Sequence, residues 1–299
     1  MSTAVATLTP GRVWWSAVRP ATLAASVSPV LAGTAIAVHD GGARWWAGVA
    51  ALVVAVAIQL GVNFSNDYSD FKRGADTPQR IGPVRAAASG VVAPDQVKWA
   101  AIAAFALAGV IGLLISLATD WRLLLAGAAC LLAAWLYTGG PRPYGYLGLG
   151  EVFVFVFFGL IATCGTVYVE ELRVTVLSVV AGCALGFLAS AILVLNNLRD
   201  IDTDAAARKR TLATRIGREQ TRRLLLAITV AAFAMPVAAA ISRDAPLTVL
   251  LALLAIPLAY QSVAIAFTSA GGPQLVGALK RMAATEMVFA LLFAVGVVA

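Results

Sequence analysis

"AGVAALVVAVAIQLGVNFSNDYSDFKRGAD", from Ala47 to Asp76, puts two different chemistries on one continuous stretch of chain. Ala47 to Val62 carries no charge and reads as most of a membrane-spanning helix, which needs about 20 apolar residues. Then Asn63, Asn66, Asp67, Asp70 and Asp76 arrive together with Lys72 and Arg73. A second stretch, "NNLRDIDTDAAARKR" from Asn196 to Arg210, repeats the arrangement after another apolar run. Acids gathered at the mouths of two membrane helices need a cationic partner, because carboxylates near a bilayer cost several kcal/mol each.

The rest of the chain supports a membrane setting. Of 299 residues 61% are hydrophobic and only 12% charged, about half the charge of a soluble domain. The mean hydropathy is +0.88. An all-α polytopic membrane protein follows, read as one membrane-embedded domain over 1–299 with a disordered tail at 1–11. Nine spans are expected, near 21–38, 45–66, 97–118, 122–138, 150–169, 174–197, 223–242, 245–266 and 281–298, packed around a central cavity. Pro29, Pro236 and Pro257 fall within spans and are expected to kink them. No cleavable signal is expected, since the first apolar run is longer than a signal-peptide core. Cys130, Cys164 and Cys183 lie far apart in apolar runs, and the single histidine, His39, sits in a loop, so zinc and haem sites are excluded.

Orientation follows from Lys and Arg. With the N-terminus in the cytoplasm, eighteen of the 22 fall on the cytoplasmic side. The net charge of +7 is then a topology signal and an attraction to the anionic surface of the cell (inner) membrane, and no nucleic-acid partner is needed to explain it. Both acid clusters land on the cytoplasmic side.

Helical spacing groups the acids. Asn63, Asp67 and Asp70 stand at i, i+4 and i+7, with Asn66 and Asp70 also four apart; Asn196, Asp200 and Asp204 are each four apart. Asp202 points elsewhere. Carboxylates and carboxamides facing one another offer the hard oxygen ligands that Mg²⁺ prefers, usually shared with substrate phosphates. Basic residues follow each cluster: Lys72, Arg73 and Arg80 after the first, Arg208, Lys209, Arg210 and Arg215 after the second. Acids for a metal and bases for phosphate oxygens describe a diphosphate site; a purely structural ion-pair network is the plainer alternative. "RIG" recurs at Arg80–Gly82 and Arg215–Gly217, a faint sign of internal repetition. Between the clusters, "WLYTGGPRPYGYLGLGE" from Trp135 to Glu151 is a Gly- and Pro-rich loop on the same face. It brings Tyr137, Arg142, Tyr144, Tyr146 and Glu151, either as an interfacial aromatic belt or as a wall of the site. Glu286, inside the last span, is expected to face the bundle and to pair with Arg281 or a neighbouring helix.

"NDYSDFKRGAD" and "NNLRDIDTDAAARKRTLATRIG" resemble the two aspartate-rich motifs of the UbiA superfamily of intramembrane aromatic prenyltransferases. The likeness extends to "RPATL" at Arg19–Leu23 and "YTGGPRPYGYLGLGE", and within the superfamily is greatest to the 1,4-dihydroxy-2-naphthoate polyprenyltransferase type. Arg208-Lys209 stands where the family often has Gly-Lys. The resemblance implies two Mg²⁺ ions, one held by Asn63, Asp67 and Asp70 and the other by Asn196, Asp200 and Asp204. It implies a polyprenyl diphosphate donor met by Arg19, Lys72, Arg80, Tyr137, Arg142, Lys209 and Arg215, and an aromatic acceptor, 1,4-dihydroxy-2-naphthoate, prenylated with loss of CO₂ to give demethylmenaquinone. Asp76 or Glu151 would serve as base. A different acceptor (4-hydroxybenzoate, homogentisate, haem or a sugar phosphate) and a secondary transporter remain as alternatives, though a transporter would place its acids near the midplane rather than at one mouth.

Overall fold

The computed structural model describes residues 9–74, 82, 84–140, 143–269 and 272–299. Its described residues are helical throughout, joined by short turns. A short helix α1 (Pro10–Val18) precedes the membrane helices α2 (Pro20–His39), α3 (Trp45–Lys72) and α4 (Pro94–Ala118). Then come α5 (Leu123–Leu136) and a kinked span made of α6 (Gly150–Val154), a π-helical stretch (Phe155–Ile161) and α7 (Ala162–Glu171). The chain continues through α8 (Val176–Arg199), the short α9 (Ile201–Ala206) and α10 (Leu212–Ser242). A 3₁₀ stretch (Leu247–Ala255) runs into α11 (Ile256–Thr268), and α12 (Gly272–Val298) ends the chain.

Among the described residues eight helices are long and apolar enough to cross a bilayer. The expected span at 122–138 is the exception. It is only the fourteen-residue α5, about 21 Å long at 1.5 Å per residue. The helix stops there because "TGGP" follows at once, and Gly140 takes a left-handed φ of 74°. Elsewhere the helices run past the expected ends because polar ends continue the apolar cores: α3 extends to Lys72, and α10 begins at Leu212 with a break at Gly217 (φ 80°, ψ 171°). Pro10 and Gly11, expected in a disordered tail, open α1. Pro29 and Pro236 lie inside helices, whereas Pro257 sits in the first turn of α11, where proline costs no hydrogen bond.

The seven tryptophans mark where the membrane surfaces fall. Trp45, Trp46 and Trp121 lie at one end of the bundle, and Trp14, Trp15, Trp99 and Trp135 at helix ends near the other. All but Trp14 are exposed, as an interfacial belt requires. The buried core sits among α2, α8, α10, α11 and α12, with Phe289 and Phe293 at its centre. Small residues let backbones touch: a Cβ on Gly159, in the π-helical stretch, would come 2.4 Å from the Cα of Gly186 in α8. Glu286 faces this bundle fully buried, as expected, but neither carboxylate oxygen finds a hydrogen-bond partner among the described residues, and Arg281 points outward.

Candidate active site

A cavity of about 370 Å³ opens inside the bundle. Its wall is mostly apolar, from α3, α5, the π-helical stretch and α8, and its charged residues come from the α1–α2 joint, the end of α3, Arg85 ahead of α4, and the α8–α9 break through Lys209. Asn66, Asp70, Asn196, Asp200 and Asp204 all line it, together with Arg19, Arg85 and Lys209. Two segments more than a hundred residues apart in sequence thus deliver their acids to one chamber.

On α3 the helical phase distributes the polar residues over different faces. Asn66 and Asp70, four apart, face the cavity. Asn66 accepts a hydrogen bond from the Thr138 hydroxyl at 2.6 Å. Asp70 accepts from the Tyr146 hydroxyl at 2.6 Å and from Arg85 at 2.9 Å, with Lys209 at 3.5 Å. Asp67, expected beside them, is not in the cavity wall. It is fully buried, and its two oxygens accept the backbone N–H groups of Ala86 and Ala87 at 2.9 and 3.1 Å. The carboxylate satisfies two amides of a turn that no helix ladder could pair, so this carboxylate holds the 85–87 segment. Asn63 touches the cavity, but its amide donates to the Val18 carbonyl at 2.8 Å and the Thr22 hydroxyl at 3.1 Å, and its carbonyl accepts from Gln59. That network fastens α3 to the joint between α1 and α2. Arg19 stands at this joint in a left-handed conformation (φ 52°), its side chain lining the cavity.

The second cluster is arranged differently. The helix breaks at Asp200 (φ −95°, ψ 8°) between α8 and α9, and Asn196, Asp200 and Asp204 all still reach the cavity. Arg199 holds both Asp200 oxygens at 2.7 and 2.5 Å and the Asn196 carbonyl at 2.8 Å. Asp202 points outward to Arg218. Lys209 lies 3.9 Å from Asp204 and so stands between the two clusters.

Tyr146 joins the loop to both halves. Its hydroxyl donates to Asp70, Lys209 lies 4.6 Å over its ring and Arg73 5.4 Å over it, and its carbonyl accepts the Arg210 N–H at 3.2 Å. Burial, and then the neighbouring Asp70, push this hydroxyl well above the ordinary tyrosine range, so it stays protonated and remains a donor. Tyr137 and Tyr144 are raised in the same way, chiefly by burial. Tyr144 stacks on Phe153 at 3.9 Å, and Phe153 on Phe157 at 5.9 Å, which extends an aromatic wall from the loop into the apolar part of the cavity.

Several expected residues take other places. Glu151 is buried outside the cavity lining, and its Oε1 accepts from Asn197, which does line it, at 2.9 Å. Lys72 projects from another face of α3 into a separate outer pocket. Arg215 is exposed and donates to the Arg210 carbonyl, bracing the loop after α9 beside Gly148. Asp76, Arg80 and Arg142 lie outside the described residues. Reading of the sequence passed over Asn66 as a ligand, and Arg85, Thr138, Asn197 and Arg199 altogether. Asn66 had a signal in its i, i+4 spacing to Asp70, and Asn197 and Arg199 in their place within the second acid-rich stretch.

Comparison with known proteins places this geometry. The model of the UbiA prenyltransferase family matches residues 26–276. The chain is 43% identical over 282 residues to 1,4-dihydroxy-2-naphthoate octaprenyltransferase of Mycobacterium tuberculosis, covering 93% of this chain and 94% of that protein. It is 42% identical over 278 residues to the Mycobacterium leprae protein of the same name, covering 93% of each. The structure of a UbiA homolog from Archaeoglobus fulgidus bound to DMAPP and Mg²⁺ superposes with a TM-score of 0.68 at 14% identity, over 96% of this chain and 99% of that one. A match covering most of its length, on a fold that gathers both aspartate-rich segments into one chamber, shows that this chain belongs to the UbiA prenyltransferase family.

Proposed function

We propose that this protein transfers a polyprenyl group from polyprenyl diphosphate to 1,4-dihydroxy-2-naphthoate, with release of diphosphate and CO₂, as a step of menaquinone biosynthesis. The observation that carries the reading is Lys209, held within 4 Å of both Asp70 and Asp204 at the polar mouth of an otherwise apolar cavity. That arrangement suits a donor with a charged head and a long hydrocarbon tail. The names of the relatives supply the acceptor.

The donor set fits Mg²⁺. Asn66, Asp70, Asn196, Asp200 and Asp204 offer only hard oxygen ligands in one chamber. Among the described residues no three acidic, histidine or cysteine side chains are grouped to hold one ion. An ion here would therefore take one or two carboxylates with a carboxamide, the remaining ligands being phosphate oxygens and water, the usual habit of Mg²⁺. Asp70 with Asn66 would hold one ion, and Asp200 and Asp204 with Asn196 a second. When bound, Mg²⁺ supplies positive charge to the diphosphate leaving group.

The chain's own residues do the rest. Arg19, Arg85 and Lys209 present fixed positive charge where the departing diphosphate gains its electron pair as the allylic C–O bond breaks. The Tyr144–Phe153–Phe157 wall offers π faces to the developing allylic cation, and the apolar lining keeps water from quenching it. The carboxylate-bearing ring carbon of the acceptor forms the new C–C bond, and CO₂ departs leaving its bonding electrons to the ring. The product of this balance is demethylmenaquinol, the reduced form of demethylmenaquinone. No added base is required for the decarboxylating route. Glu151 is a positioning residue for Asn197, and Asp76 has no assigned role. The site faces the cytoplasm at the inner surface of the cell membrane, with the N-terminus on the same side.

The test is product mass spectrometry on purified protein in lipid, with Mg²⁺, octaprenyl diphosphate and each acceptor in turn. The expected product from the naphthoate is lighter by one CO₂ than simple addition. Turnover with 4-hydroxybenzoate and none with the naphthoate would overturn the acceptor. No diphosphate release with any acceptor would favour transport.

A further inference from the structure

α3 presents a third face, turned away from both the cavity and the Asp67 turn. Ser65, Ser69 and Lys72 stand there at i, i+4 and i+7 and line an outer pocket of about 280 Å³ with Arg73, Lys98 and Trp135. Among the described residues three cations line it and no carboxylate does. Neither Lys72 nor Lys98 forms an ion pair with a described carboxylate. The Lys98 ammonium lies 5.9 Å over the exposed ring of Trp99, at the tryptophan belt that marks the bilayer surface. Along the face of α4 that carries Trp99, exposed apolar residues continue the helix surface: Leu107, Val110, Leu114 and Leu117.

We propose that this pocket binds the phosphate of an anionic phospholipid, with Lys72, Lys98 and the two serine hydroxyls as its donors and the acyl chains laid along α4. Charge complementarity selects an anion, and the exposed apolar face of α4 beneath Trp99, the ring that Lys98 covers, selects a lipid over a free phosphate. The pocket reaches the active site through Arg73. Its guanidinium donates to the carbonyls of Thr138 and Gly140 (2.6 Å to Gly140) and lies over the ring of Tyr146, which in turn donates to Asp70. A bound lipid phosphate therefore sits beside the residues 138–140 that Arg73 holds. This assignment does not depend on the acceptor or on the reaction.

The experiment uses the full chain in phosphatidylcholine vesicles, with or without phosphatidylglycerol, followed by native mass spectrometry and hydrogen exchange. The wild type should retain phosphatidylglycerol and show slowed exchange over 137–140. Lys98→Gln should lower retention about fivefold, the equivalent of about 1 kcal/mol for one basic residue at an anionic surface. Lys98→Arg should keep it, which separates loss of the charge from loss of the fold. The double variant Lys280→Gln/Arg281→Gln, exposed and basic but outside the pocket, should retain lipid like the wild type. The assignment is overturned if Lys98→Gln retains lipid fully, if the double variant loses as much, or if inorganic phosphate alone slows the exchange equally.

Discussion

α3 carries its polar residues through unbroken helix to Lys72, whereas α8 stops at Arg199 and the chain restarts as α9 at Ile201. The two segments look alike in sequence and divide their labour differently. On the continuous helix, fixed phase sends Asn63 to the α1–α2 joint, Asp67 to the 86–87 amides, and only Asn66 and Asp70 squarely to the chamber. At the broken helix, the bend at Asp200 lets Asn196, Asp200 and Asp204 all reach the chamber. One segment builds structure and site together, the other mainly site. An acid in a motif is therefore not interchangeable with its neighbour one position away.

Removing divalent metal should take prenyl transfer to background, with recovery on adding Mg²⁺; activity that persists in chelator would end the two-cluster account. Asp70→Ala and Asp200→Ala should each cut turnover by about 10²–10³ or more, the scale of losing one preorganised charge-stabilising group. Diphosphate release under saturating donor measures this, and equal loss in both variants supports a shared anion. Tyr146→Phe deletes one hydrogen bond to a charged acceptor, worth about 1.5–3 kcal/mol. Turnover should fall at least about tenfold and the thermal midpoint should fall with it; an unaltered rate would remove Tyr146 from its place between the halves.

Asp67→Asn sharpens the contrast most directly. It leaves one of two buried amides poorly paired, so stability should drop by about 1–3 kcal/mol, read as a lower thermal midpoint in detergent, while turnover per folded molecule survives. Abolished turnover at full stability would return Asp67 to the ligand set. Asp202→Ala should do least: the carboxylate is exposed, and its pair with Arg218 is worth at most about 1 kcal/mol, so activity should stay within about twofold.

Much of the architecture was legible because hydrophobic run length and Lys/Arg placement are local properties. The predicted span at 45–66 falls inside α3, and the one at 174–197 overlaps α8 from Val176 onward. The span expected at 122–138 corresponds to α5, whose fourteen residues stop short of the turn at Gly139–Gly140. The site was legible as two oxygen-rich segments and a loop. Arg19, Asp70, Asn196, Asp200, Asp204 and Lys209 could be named, but Arg85 and Thr138 could not, since they reach Asp70 and Asn66 from 15 and 72 residues away.

The sequence by itself determined a multi-pass helical bundle with acids at two helix mouths, because burying apolar surface and keeping charge in water are decided residue by residue. Only the tertiary structure decided which acids meet. That depends on the rotation of α3 against α4 and α5, on the bend at Asp200, and on a turn whose free amides claim Asp67, and each of these is fixed by packing between segments far apart in the chain.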